Sequence, residues 1–205
     1  MASQITHVPY AKKVLEKFLT DREVDERSFF VGTLFPDIRY LGVIEREKTH
    51  IVDPTVENLK KLSNSFELGK YTHSLIDYER EKTLERLGMY KEIEPTKLSV
   101  YAMKFIEDEF TYPLISDWNK YIKFLNGVTD KEKELVGEES ARTWHELLQD
   151  FFRQPPNTES MIHLAKSLRG FTDELLEGIL NEEIKIKKNA AAMKIIGQTY
   201  QGLFG

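Results

Sequence analysis

His73 and Asp77 stand four residues apart in a stretch whose apolar members, Phe66, Leu68, Tyr71, Leu75 and Ile76, recur at helical spacing. On a helix that separation puts both side chains on one face, close enough to ligate one ion. Gly69 lies one turn earlier on the same stripe. A glycine inside a helix costs roughly 1 kcal/mol of propensity, and close approach of another backbone would compensate it. One helix supplies only two ligands, so the others must come from loops or helix ends, which is where His7, Asp37 and His50 fall. The chain has no cysteine, which excludes disulfides, thiolate metal sites and cysteine nucleophiles together. Zinc takes imidazole and carboxylate ligands in a four-coordinate shell at roughly 2.0–2.2 Å. Asp37, His50, His73 and Asp77 would bring two neutral imidazoles and two carboxylates, enough to neutralise a dication in a partly buried place.

The runs Ile5-Thr6-His7-x-x-x-Ala11, Gly32-Thr33-Leu34-Phe35-Pro36-Asp37-Ile38, His50, and Gly69-Lys70-Tyr71-Thr72-His73-Ser74-Leu75-Ile76-Asp77 together resemble zinc-dependent phospholipase C and its single-strand nuclease relatives. These are all-helical phosphodiesterases with a trinuclear zinc cluster. The resemblance is one of motifs and covers about residues 5 to 80. It implies that Asp37, His50, His73 and Asp77 hold one zinc, that Asp77 bridges to a second ion bound also by His7, and that Asp37 and Asp77 are catalytic, Asp37 as general base. Two ions about 3.5–4 Å apart lower the pKa of a water and clamp phosphate oxygens. The chain also departs from the family. Six residues precede His7, where secreted members use a processed amino terminus as a ligand, and no histidine follows Asp77 before His145. The expectation is therefore one or two ions, zinc by preference with Mn2+ or Fe2+ as alternatives.

Other residues receive plainer readings. The acids of Phe105-Ile106-Glu107-Asp108-Glu109-Phe110 are expected to form an exposed patch, with help to a second ion as the alternative. His145 and His163 sit in amphipathic helices as ordinary structural residues, and Arg39 is read as a surface side chain. Thr6, Thr49 and Thr72 each precede a candidate histidine, where a hydroxyl could support the ring. Phe29, Phe30, Phe151 and Phe152 are expected in the core.

The elements that must position these residues are all helical. Periodicity predicts helices over residues 9–19 (opening at Pro9, with His7 just before it), 23–34 (closed by Pro36, with Asp37 in a loop), from Asp53-Pro54 to Leu62, and from Ser65 toward Leu87. Further helices are predicted near 95–111, 114–125, 138–153, 158–169 and 172–200, with breaks at Tyr112-Pro113, Asn126-Gly127, Pro155-Pro156-Asn157 and Gly170. No alternating run reads as a strand. The fold class expected is all-α, a single-domain multi-helix bundle over 1–205, with the ligand motifs in 5–80 and a helical second half from 94.

With 205 residues, 40% of them hydrophobic and 31% charged, the chain can bury one sizeable core. A net charge of -5 with mixed signs argues against broad electrostatic nucleic-acid binding. No 18-residue apolar run and no signal-like amino terminus are present, so the expectation is a cytoplasmic protein without a membrane span. Two functions compete. One is a zinc-dependent hydrolase of a small phosphoester or phospholipid, and the other is a non-catalytic, metal-stapled helical protein that binds a partner. An HD-type phosphohydrolase ranks last, because the chain has no adjacent His-Asp pair.

Overall fold

The structure, a computed structural model, describes residues 3–205. Among these, thirteen α-helices and no strand are found, which makes the fold an all-α multi-helix domain. The first half contains α1 (Gln4–Phe18), α2 (Glu26–Leu34), a 3-10 segment (Phe35–Leu41), α3 (Arg46–Thr49), α4 (Val56–Leu59), α5 (Ser65–Arg86) and α6 (Met89–Glu92). The second contains α7 (Lys97–Thr111), a 3-10 turn (Tyr112–Leu114), α8 (Trp118–Phe124), α9 (Asp130–Val136), α10 (Glu138–Phe152), α11 (Thr158–Lys166), α12 (Asp173–Lys188) and α13 (Ala190–Gly202).

Local chemistry sets where the helices begin. Asp25, Asn64, Thr96, Thr129, Asn157 and Thr172 each accept a backbone N–H of the first turn through the side chain, which satisfies a donor that would otherwise have no partner. Phe29, Phe30, Phe151 and Phe152 are buried as expected, in a core built from α1, α2, α5, α8, α10 and α11. A second apolar cluster joins the far end of α5 to α7, α12 and α13.

The crossing of α2 with α5 does most to place the site. A β-carbon on Gly69 would lie 2.0 Å from the Phe29 carbonyl oxygen, and one on Gly32 would lie 2.2 Å from that of Phe66. The two helices therefore touch backbone to backbone, glycine facing main chain on both sides. This contact is the compensation that the mid-helix glycine called for. It also brings the last-turn carbonyl of Thr33, which α2 itself leaves without a partner, up to the next turn of α5, where His73 lies.

Several boundaries differ from expectation. His7 lies inside α1, not before it, because the helix begins at Gln4 and carries Pro9 in its interior. Residues 4–8 are all buried, so packing outweighs the bond lost at the proline. Asp108, from α7, also accepts the Thr6 N–H at 3.0 Å and caps α1 from a distance. Asp37 is in the 3-10 segment instead of an open loop, and Thr55, not Asp53, caps α4. The predicted helix over 172–200 is two helices, divided where Asn189 leaves helical geometry and its side chain caps the N–H groups of Ala191 and Ala192. No helix among the described residues is long and apolar enough to cross a membrane.

Candidate metal centre

The five residues singled out in the sequence converge. His7 comes from α1, Asp37 from the 3-10 segment, His50 from the end of α3, and His73 and Asp77 from successive turns of α5. All five are buried. Two sets have ligand atoms close enough to share an ion: His50, His73 and Asp77, and His7, Asp37 and His73.

Each histidine is oriented through Nδ1. That of His7 donates to the Ser3 carbonyl at 2.7 Å and that of His73 to the Thr33 carbonyl at 2.9 Å. At His50, Nδ1 lies 2.8 Å from the Thr49 hydroxyl, which sits 3.1 Å from the Arg46 carbonyl. The hydroxyl thus lies between that carbonyl and the His50 ring and holds the ring in place. With Nδ1 protonated on His7 and His73, these two neutral rings turn bare Nε2 lone pairs toward the cluster. Of the three threonines that precede these histidines, only Thr49 supports a ring. Thr6 bonds to Asp108 and Thr111, and the Thr72 hydroxyl is buried without a partner.

The Nε2 atoms meet at short range. His50 Nε2 and His73 Nε2 are 3.2 Å apart. The separation of two nitrogens on one tetrahedral zinc would be about 3.3 Å, given ligand distances of about 2.0 Å. His7 and His73 stack in parallel, with centroids 3.9 Å apart and planes 5° from each other, and His7 Nε2 is buried with no hydrogen-bond partner among the described residues.

The carboxylates complete the cluster. Asp77 directs Oδ1 toward His7 Nε2, at 3.6 Å, and Oδ2 toward His73 and His50 Nε2, at 3.7 and 3.9 Å. Asp37 Oδ2 accepts from Gln4 Nε2 at 3.1 Å. Its Oδ1 has no hydrogen-bond partner among the described residues and stands 4.0 Å from His73 Nε2.

Burial lowers the pKa of all three histidines, to about 3 for His7, about 2 for His50 and about 4 for His73. Three imidazoles held neutral among carboxylates are the protonation state that metal ligation requires. Burial raises Asp37. It acts the same way on Asp77, yet the attraction of the surrounding groups, the His73 and His7 imidazoles when charged and Lys104 among them, holds it well below the usual carboxylate range. Unpartnered buried atoms, nitrogens at ligand separation and an ionised carboxylate together fit a dication.

The remaining sequence readings divide. His145 is a structural residue, as read. It is buried between the Leu125 carbonyl and Glu132 Oε1, at 3.0 and 2.7 Å. His163 lies on α11 outside the cluster. Arg39 is no free surface side chain: its guanidinium covers the Tyr40 ring at 4.0 Å, and Nε is 3.8 Å from Asp37 Oδ1. The acids of 105–110 do not form an exposed patch. Glu107 is buried against Arg80 and Tyr10, both at 2.5 Å, and Asp108 is buried against Ser3 and Thr6. Reasoning from sequence passed over Lys104 on the same helix, which is buried beside the cluster. A lysine amid the apolar residues Ala102, Met103 and Ile106 was the signal that could have found it.

Comparison with protein-family models, with curated proteins and with solved structures finds no match for the chain.

Proposed function

We propose that this chain is a metal-dependent hydrolase of phosphoric esters, with zinc at the His/Asp cluster. The observation that carries this reading is the division of Asp77 between two groups of ligands, Oδ1 toward His7 and Oδ2 toward His50 and His73. A structural staple needs one shell, whereas a carboxylate shared in this way suits a pair of ions. His50 and His73 with Asp77 Oδ2 would hold the first, and His7 with Asp77 Oδ1 the second.

Bound metal would supply the activation of a water molecule and neutralisation of charge on the phosphoryl oxygens. The chain's own residues prepare for that chemistry. The Nδ1 contacts with Ser3, Thr33 and Thr49 fix the three rings before any ion arrives. Gln4 holds one oxygen of Asp37 and leaves Oδ1 toward the cluster, where a carboxylate made more basic by burial takes the proton of the attacking water. The motif resemblance to phospholipase C and single-strand nucleases points to the same reaction class.

The test is turnover of bis(p-nitrophenyl) phosphate by the full chain with added zinc or manganese. Hydrolysis that falls to background in Asp77→Asn is expected, and no turnover under any metal rules the reading out. The depth of the site favours a second reading, in which an ion only staples α1, α3 and α5 together. In that case chelator collapses the melting temperature while phosphoesters stay intact.

A further inference from the structure

A narrow crevice lies next to Gln4, lined by Ser3, Gln4, Tyr40, Tyr101, Lys104 and Asp108 and otherwise by apolar side chains. Gln4 connects it to the centre through its hydrogen bond to Asp37. Lys104 is only 5% exposed, yet it forms no hydrogen bond or ion pair within the described residues. Its one contact of note is the Tyr101 ring, 5.2 Å from Nζ. Asp108, four residues on along α7, directs Oδ1 to Ser3 and Thr6 instead.

Lys104 reaches solvent only narrowly, and lysines are seldom so buried unless paired. A site that retains one is expected to gain its partner from a ligand. The neighbours define the ligand's charge. Asp37 and Asp77 attract Lys104 through space without pairing with it, and dications bound by those carboxylates would take up their charge, so the ammonium's remaining partner suits an oxyanion. The crevice volume of about 40 Å³ has room for roughly three or four waters at about 10–15 Å³ each, which admits phosphoryl oxygens and is too small for an acyl chain.

Resting on the hydrolase reading above, we infer that Lys104 is the anion-binding group of this site, donating from Nζ to a non-bridging oxygen of a small phosphoester held at the His/Asp cluster. An ammonium–phosphate hydrogen bond is charge-assisted on both sides, and Lys104 would neutralise phosphate charge without ligating metal.

Inorganic phosphate is the probe. The as-purified full chain and its Lys104→Met, Lys104→Gln and Lys104→Arg variants are titrated with phosphate by calorimetry, and the metal content and melting temperature of each sample are measured. Expected are unchanged metal content, a melting temperature equal to or above that of the wild type in Lys104→Met, and phosphate affinity at least about tenfold weaker in both neutral variants. Lys104→Arg should recover part of it. Equal phosphate affinity in wild type and neutral variants overturns the inference, as does a wild type that binds no phosphate. If no sample holds metal and affinity still depends on Lys104, the anion site stands and the metal reading falls.

Discussion

Gly69 rests directly on the Phe29 carbonyl, with no space between them for a methyl group: a β-carbon there would come within 2.0 Å of the oxygen and 2.7 Å of the Thr33 nitrogen. By helix propensity alone, Gly69→Ala would stabilise α5 by roughly 1 kcal/mol. The crossing reverses the sign, because main chain and not a flexible side chain must move. The expected loss is several kcal/mol of unfolding free energy by denaturant titration, together with loss of metal binding as Thr33 shifts from His73. A variant as stable as the wild type would show that the two helices are not in backbone contact.

Glu107 and Arg80 form a buried pair, Nε to Oε2 at 2.5 Å, completed by the Tyr10 hydroxyl at 2.5 Å. Removing one partner leaves the other charge uncompensated, so Glu107→Leu or Arg80→Met alone should cost about 3–5 kcal/mol. The double variant should recover most of that, since apolar replacement of both partners is often neutral. A double variant no better than the worse single one would contradict this account.

Asp108 gives a pH dependence of unusual sign. Burial pushes its carboxyl up to about 7 against the donors Ser3 and Thr6, from about 3.9 in an unfolded chain. Between those values the folded state keeps a proton that the unfolded state has released, so stability falls as pH rises from about 4 to about 7 and then levels. Asp108→Asn keeps an acceptor for Thr6 and carries no titrating proton. Its stability relative to wild type should therefore improve across that window, and a difference that stays flat with pH argues against the buried proton.

The cluster was legible in the sequence to the extent that its determinants are local. The four-residue spacing of His73 and Asp77, with Gly69 a turn before, needed only the helical period to be read, and the backbone contact demanded by that glycine is present. What lay beyond reach depended on partners distant in sequence. The helix around His7 was misread because Pro9 looks like a helix start, whereas the turn before it is held by buried packing and by Asp108, 102 residues away. Glu107 and Asp108 looked like exposed acids because Arg80, Tyr10 and Ser3 are far along the chain. Lys104 was overlooked because a lysine in an amphipathic helix is ordinarily solvated, and only the tertiary structure removes its water. The short helices α3, α6 and α9 carry too few turns to register as periodic. By contrast, α5 and α7 run long enough for their apolar stripes to be read.

The central claim is that the Nε2 atoms of His7, His50 and His73 and the two oxygens of Asp77 bind metal. Elemental analysis of the purified full chain beside His7→Ala and His73→Ala tests it most directly. The expected result is a pair of ions per chain in the wild type and one ion in each of the two variants, with zinc predominant. Trace metal at the same background level in all three proteins would contradict it.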